Sequence, residues 1–373
     1  MKTYTHLYET ICSFEKLLSA ARKAQKGKRF QENVGRFNAN LENELIQLRR
    51  ELLEKSYRPG AYRTFQIYEP KLRMISAAPY RDRVIHHALC NVIAPLFERT
   101  FIHDSYANQV GKGSHRAILR YQEYCRKNQY ALKCDVKKYF PSIDHEILKA
   151  EIRRVIACPD TLWLIDRIID GSNAQEEVIQ YFPGDDLFNP FEPRRGLPIG
   201  NLTSQFFANV YLNRLDHFVK EILRCKFYVR YVDDSVILGN DKKYLWEVKR
   251  EIESYLEKFR LRLHEHKCQI RRTEQGVTFL GFRVFPEFCL LRRENVVRTR
   301  RRMRRLQAQY AAGETSWDDV TRAVHGWLGH ARFGDTYHLR EKLFEKHPFQ
   351  KNHSQAIHAL TPTPTLTRTH TRC

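Results

Sequence analysis

The sequence predicts an α+β fold built as two or three packed lobes. Apolar runs of strand length recur at 62–68, 130–135, 227–239, 261–270 and 276–284, and tight turns pair several of them as antiparallel hairpins. Between these runs, apolar residues return at helical spacing. A length of 373 residues with 42% hydrophobic content exceeds one ordinary domain and supplies ample core.

A formal charge of +21 and an isoelectric point near 9.6 call for a polyanionic partner, either nucleic acid or an anionic membrane surface. No apolar run approaches the roughly 20 residues that span a bilayer, and the first residues lack a signal-peptide core. Nucleic acid and a cytoplasmic location are therefore expected, with no membrane role. Nine cysteines are scattered singly, with no pair or Cys/His cluster at zinc spacing, and read as reduced core thiols.

Leu7, Ile11, Phe14 and Leu18, then Leu41, Leu45, Leu48 and Leu52, mark helices that Pro59-Gly60 ends. The alternation over 61–75 predicts a hairpin turning at Glu69-Pro70-Lys71, with Lys71 and Arg73 projecting from it. Paired cations there either keep an exposed edge soluble or grip a polyphosphate. A helix follows over 82–97. The stretch 105–115 with Gly111, Lys112 and Gly113 is a weak phosphate cradle or a plain loop before a helix. A strand ending on Asp135 leads to a cap at Pro141–His145, and residues 171–195 read as loop.

The glycine-bounded stretch Arg195-Gly-Leu-Pro-Ile-Gly200 opens a helix with a buried stripe Ala208, Leu212, Leu215, Val219, Ile222. Tyr231-Val232-Asp233-Asp234 is the tip of an acidic hairpin. Two acids side by side on a rigid turn repel, and divalent metal relieves them. Asp135 is the natural third carboxylate. A helix over 242–259, a strand over 261–270 bearing Lys267, and a strand pair at 276–284 with Gly281 inside it follow. Residues 292–305 hold eight arginines against one acid, Glu294, and form a helix whose apolar side is Val296, Val297, Met303 and Leu306. Further helices lie within 317–343. The tail from 347 onward, alternating Thr and Pro, is expected to be disordered.

The order of Lys71/Arg73, Asp135, the Gly-Leu-Pro-Ile-Gly loop, Tyr-Val-Asp-Asp, Lys267 and Phe279-Leu280-Gly281 resembles the successive motifs of reverse transcriptases across roughly 60–345. Ile199-Gly200-Asn-Leu-Thr-Ser204-Gln205 is similar to the signature of diversity-generating retroelement enzymes, within the group II intron-like bacterial lineage. The resemblance implies a right-hand polymerase with helical and hairpin fingers (1–130), an antiparallel-sheet palm (131–290, with an insertion around 160–200), a helical thumb (291–345) and a disordered tail (346–373). It implies an error-prone RNA-directed DNA polymerase of a bacterium or phage that copies a template-repeat RNA into cDNA and misincorporates opposite adenine.

By the same resemblance, Asp135, Asp233, Asp234 and the Val136 carbonyl hold two magnesium ions, and Lys267 lies near the leaving pyrophosphate. Phe140 excludes a ribose 2′-hydroxyl. Lys71, Arg73, Ile199 and Gly200 meet the deoxynucleoside triphosphate. Phe279-Leu280-Gly281 forms the primer grip, and Arg298, Arg301, Arg302 and Arg305 meet template RNA and primer. A small basic accessory variability protein is the implied partner. Asp185 and Asp186 match no motif. The competing readings are a defence-associated or free-standing intron-type reverse transcriptase, and a catalytically dead RNA-binding scaffold.

Overall fold

A computed structural model describes residues 2–68, 72–172, 176–192 and 194–350. Lys71 and most of the expected disordered tail lie outside the described residues. The chain divides into two compact units, Met1–Gln275 and Gly276–Cys373, a division that falls upstream of the expected 290/291 border.

In the first unit, four helices come first. Ser13 caps Phe14–Ala24 by accepting the Lys16 amide at 3.4 Å, and Leu17, Ala20 and Ala21 face the core. Tyr80, opening the long helix Tyr80–Glu98, donates its hydroxyl to Ala21 O at 3.0 Å and packs edge-on against Phe37. Strands β1 (Arg63–Tyr68) and β2 (Leu72–Ala77) form the expected antiparallel ribbon, with β1 exposed along its whole length.

The central sheet is antiparallel, in the order β4-β5-β3-β6: β3 is Tyr130–Asp135, β4 Tyr228–Tyr231, β5 Asp234–Gly239 and β6 Gln269–Arg272. Helices cover it, among them Lys242–Glu257, which buries Leu245, Val248, Ile252 and Leu256. The α+β class holds. Asp144 caps helix His145–Arg153 as expected, accepting the Glu146 and Ile147 amides at 3.0 and 3.1 Å. Helix Pro159–Asp170, which no expectation covered, opens on a proline suited to a first turn.

Three expectations need correction. The helix after Asn201 is not continuous: it runs over Leu202–Tyr211, breaks at Leu212, resumes at Asn213–His217 and ends in a π-turn Phe218–Ile222. That widened last turn rotates Ile222 out of the buried stripe to 69% exposure, whereas Ala208, Leu212, Leu215 and Val219 stay inside. The strand expected over 261–270 begins only at Gln269, because Lys267 and Cys268 turn their amides back to His264 O. Lys267 therefore sits in a turn.

The third correction lies in the second unit, where Gly281 is not inside a strand. β7 (Val277–Phe279) and β8 (Phe282–Val284) are joined by Leu280-Gly281, both at positive φ, the geometry of a tight hairpin turn. β9 (Cys289–Leu291) completes this sheet. Helix Arg293–Ala311 follows, with Thr299 and Met303 buried and Val297 exposed, so its apolar side is narrower than expected. A reciprocal Ser316/Asp319 capping box starts Trp317–Ala331, and Tyr337–Glu345 is the last helix. The eight cysteines among the described residues are buried free thiols.

Candidate active site

The site is set by strand register. β3 and β5 pair so that Asp135 stands directly opposite Asp234 on neighbouring strands, and β4 and β5 are joined by Val232-Asp233 between Tyr231 and Asp234. All three acids thus gather at one end of the sheet. Val232 lies at φ +56°, a costly conformation for a β-branched residue, and it is held from below. Arg230 Nη1 donates to Val232 O at 2.9 Å. The Arg230 side chain is fully buried, anchored on Asp216 and touched by Asn209 Oδ1 at 3.3 Å.

Electrostatics at this end are tense. Burial first, then Asp234 and Asp135, push the Asp233 carboxyl up to about 6. Burial also raises Asp234, although Lys133 opposes it. Lys133 shares its face of β3 with Asp135 and reaches Asp234 Oδ1 diagonally at 3.1 Å; Lys267 Nζ lies 2.8 Å from Asp135 Oδ1. Each member of the facing acid pair thus leans on a lysine.

The donor chemistry fits a hard divalent cation: three carboxylates on one sheet end, with Asp233 raised by burial and then by its acidic neighbours. With two of them turned to lysine, no group of three or more acidic, His or Cys side chains is placed to hold a metal among the described residues. Val136, whose carbonyl was the expected fourth donor, is buried in an antiparallel bridge with Leu263. The loop carrying Lys267 is clamped to the end of β3 by His264 N on Asp135 O at 2.7 Å.

A second set of bonds builds the wall next to β3. Phe140, half-buried in the short helix Tyr139–Ser142, accepts the Leu197 amide on its carbonyl at 2.9 Å, and Gly196 N bonds Ile143 O at 2.8 Å. Ile199 O then accepts Ser76 N at 3.0 Å. Asn201, which sequence reasoning missed, donates to Ser76 O at 2.7 Å and accepts Ala78 N at 3.0 Å. The base of the β1/β2 ribbon is thereby sewn to the Ile199-Gly200 loop. Gly200 has φ +116°, and a Cβ there would meet Ile75 Cγ2 at 2.8 Å, so that close approach demands glycine. Ser204 is buried, Gln205 exposed, and Arg73 exposed on β2 opposite Ile67.

Other expected residues stand elsewhere. Lys112 folds back onto its own loop, donating to His103 O and Ser105 O at 2.8 and 2.7 Å, which favours the plain-loop reading. Asp185 forms a two-pronged pair with Arg260 at 2.7 Å for each bond, and Asp186 caps a turn through the Phe188 and Asn189 amides. Their role is to dock the 176–192 loop. In the second unit, Phe279-Leu280-Gly281 is the end of a hairpin, and Arg298, Arg301, Arg302 and Arg305 are all exposed. No helix among the described residues is long and apolar enough to cross a membrane.

Comparison with known proteins agrees with this geometry. Residues 66–284 match the model of the reverse transcriptase (RNA-dependent DNA polymerase) family. The chain is 24% identical to protein YkfC of Escherichia coli over 68% of its own length and 74% of that protein's. It is 22% identical to the group II intron-encoded protein LtrA of Lactococcus lactis over 50% of its length, and 21% identical to a putative COX1/OXI3 intron 1 protein of Saccharomyces cerevisiae over 64%. It spans only 30% and 34% of these two relatives. Among solved structures it is similar to apo telomerase from Candida tropicalis, with a TM-score of 0.41 and 13% identity over 60% of this chain and 47% of that one. With more than half of its length matched, the chain belongs to the reverse transcriptase family, whose enzyme class is RNA-directed DNA polymerase.

Proposed function

We propose that the chain copies a retroelement template-repeat RNA into cDNA, with frequent errors opposite adenine. The observation that carries the polymerase reading is the cross-strand register of Asp135 and Asp234 with Asp233 at the adjoining turn. Asp135, Asp233, Asp234 and the Val136 carbonyl would hold two magnesium ions, which supply Lewis acidity and charge neutralisation for phosphoryl transfer. Lys133 and Lys267 offset the charge of the acids, and Lys267 would meet developing negative charge on the leaving group. Phe140 and the Ile199-Gly200 loop form the wall that meets sugar and base, and Arg73 meets the phosphates from the ribbon.

The retroelement assignment rests on Ile199-Gly200…Ser204-Gln205. It brings with it a small basic accessory protein, a palm over 131–290, a thumb over 291–345 and cytoplasmic work. The intron-encoded relatives favour a second reading, a free-standing or defence-associated intron-type enzyme. Sequencing cDNA made from RNA of the native locus separates the two: errors concentrated at template adenine support the first, an even spectrum the second.

Primer extension on an RNA template with magnesium tests the shared core. Asp135→Asn and Asp233→Asn should each fall below about a hundredth of the wild-type rate, because an amide cannot replace carboxylate charge at a cation. RNA binding should persist. Substantial extension by either variant refutes the assignment of these acids.

A further inference from the structure

The run 135–144, which carries both Asp135 and Phe140, is bonded to two segments distant in sequence. The first is 195–197: Arg195 forms an antiparallel bridge with Asp144, Gly196 N donates to Ile143 O at 2.8 Å, and Leu197 N donates to Phe140 O at 2.9 Å. The second is 260–264, where Lys137 N donates to Arg262 O at 2.8 Å, Val136 bridges Leu263, and His264 N holds Asp135 O. The 176–192 loop joins these two segments to each other.

Each segment sends an arginine to the same atom of the loop. Arg195 Nη2 donates to Asn189 O at 2.6 Å, and Arg260 Nη2 donates to that oxygen at 3.3 Å. Arg260 also grips Asp185 through both oxygens, and Asp185 in turn accepts the Phe182 amide at 2.8 Å. The Phe182 ring is buried, with the Arg260 and Arg262 guanidinium carbons each 5.0 Å from its centre. Towards the run 135–144, Arg195 Nε faces Asp144 Oδ2 at 4.0 Å, a charge pairing too long for a hydrogen bond.

The cluster is withdrawn from water: the Arg195 and Arg260 side chains are 10% and 16% exposed, those of Asp144 and Asp185 1% and 6%. Ions buried in this way add little net stability, and apolar side chains would pin a surface loop as well. What the cluster does fix is spacing. The Arg195–Asn189–Arg260 bracket sets segment 195–197 against segment 260–264, and the bonds of Leu197 to Phe140 and of Ile199 to Ser76 carry that setting to both residues of the wall. We infer that Arg195 and Arg260 are positioning residues for nucleotide selection, which act through the Asn189 carbonyl to hold the backbones of Phe140 and Ile199 in place relative to Asp135. The inference rests on the proposed reading of that wall as the surface that meets sugar and base. It gives the 176–192 loop, whose acids match no motif, a part in the reaction without a contact to substrate.

Two readouts on the full-length chain separate positioning from loop docking. The first needs no chemistry: hydrogen exchange over the peptide carrying the Gly196 and Leu197 amides, read by mass spectrometry in wild type, Arg195→Gln and Asp185→Asn. Removing a charge-assisted bond from the bracket should speed exchange there by roughly tenfold or more, while β3 and β5 exchange as in wild type. The second is the kcat/KM ratio of deoxyribonucleotide to ribonucleotide in primer extension. It should fall by roughly tenfold, with most of the loss in KM for the deoxyribonucleotide. Arg195→Lys keeps the charge facing Asp144 and a donor for Asn189 O, and should recover most of the ratio. If Arg195→Gln does not fold, Asp185→Asn carries the test, because it loosens the loop and leaves Asp144 its partner. Unchanged exchange at Gly196 and Leu197 in a folded variant overturns the proposal. Faster exchange with an unchanged sugar ratio also overturns it and leaves the arginines as loop anchors. A wild-type chain that extends no primer counts against the polymerase reading, and the exchange comparison then still decides whether the bracket holds the wall.

Discussion

Arg230 and Asp216 meet through two parallel hydrogen bonds, Nε to Oδ1 at 2.7 Å and Nη2 to Oδ2 at 2.6 Å, with both side chains closed off from solvent. Tyr228 adds its hydroxyl to Asp216 Oδ1 at 2.8 Å, and the remaining guanidinium nitrogen supports the Val232 carbonyl. A buried pair of this kind is costly to desolvate and contributes little net stability, but removing one partner strands a charge. Asp216→Ala should lower unfolding stability by about 3–5 kcal/mol in urea titrations. Arg230→Met with Asp216→Leu should recover most of that loss. Primer extension should nonetheless stay low in the double variant, because Val232 at positive φ has lost its donor and the Asp233-Asp234 turn relaxes. Wild-type extension in a stable double variant would show that Arg230 only fills the core.

His86 gives the fold a pH dependence of known sign. It is buried in helix Tyr80–Glu98, its Nδ1 has no hydrogen-bond partner, and burial, with His87 and Arg83, lowers its pKa to about 3. The folded state therefore keeps this ring neutral while the unfolded chain binds a proton near pH 6.5. Stability from this group is intact above about 6.5 and is lost as pH falls from there towards 3, by up to about 1.4 kcal/mol per pH unit. Denaturant unfolding of wild type and His86→Leu at several pH values reads the difference. The gap should move in favour of His86→Leu as pH drops through that window. A gap that stays constant would mean that the ring charges in the folded state.

What was legible in the sequence follows from locality. Asp135, Asp233 and Asp234 were readable because strands ending on acids announce themselves, and hairpin register then brings them together. Lys133 was readable in principle, two residues before Asp135 on the same strand face. Arg230 and Asp216 were not: an arginine inside an apolar run looks like a strand edge until a distant acid is found to face it. Asn201 reads locally as a helix cap. Its amide instead bridges to Ser76 and Ala78, more than a hundred residues away in sequence. Ile222 failed because a π-turn breaks the 3.6-residue period on which the stripe was counted. The Gly281 turn was hidden by its setting, since Leu280 gives no turn signal and yet takes φ +47°.

Phe140 should act on sugar selection. Its backbone is tied to Leu197, and its half-buried ring packs edge-to-face with Tyr139 a few residues beyond the end of β3. A ring in that place leaves no room for a 2′-hydroxyl if the sugar packs on it. Phe140→Ala should raise ribonucleotide incorporation relative to deoxyribonucleotide, measured as the ratio of kcat/KM values. If the ring is only core, the substitution instead lowers stability by about 3–5 kcal/mol and leaves that ratio where it was.

Ile199 should loosen fidelity. Its carbonyl is committed to the Ser76 amide, and Gly200 beside it lies close against Ile75, so the loop is held at a set height above the ribbon base. The side chain is apolar and half-buried, and it has no donor or acceptor to offer an incoming nucleotide. A glutamine here would bring an amide with donors and an acceptor that, on the proposed reading, could hydrogen-bond the incoming nucleotide. Discrimination depends on the difference in transition-state binding between right and wrong pairs, so a missing contact of about 1–2 kcal/mol raises errors roughly tenfold. Ile199→Gln should therefore lower misinsertion, most visibly opposite template adenine, when the enzyme copies a defined RNA and its products are sequenced. The backbone bonds of the loop do not depend on the side chain, so extension should be retained. An unchanged error spectrum would confine Ile199 to packing the loop and move adenine selectivity to other residues of the wall or to a partner protein.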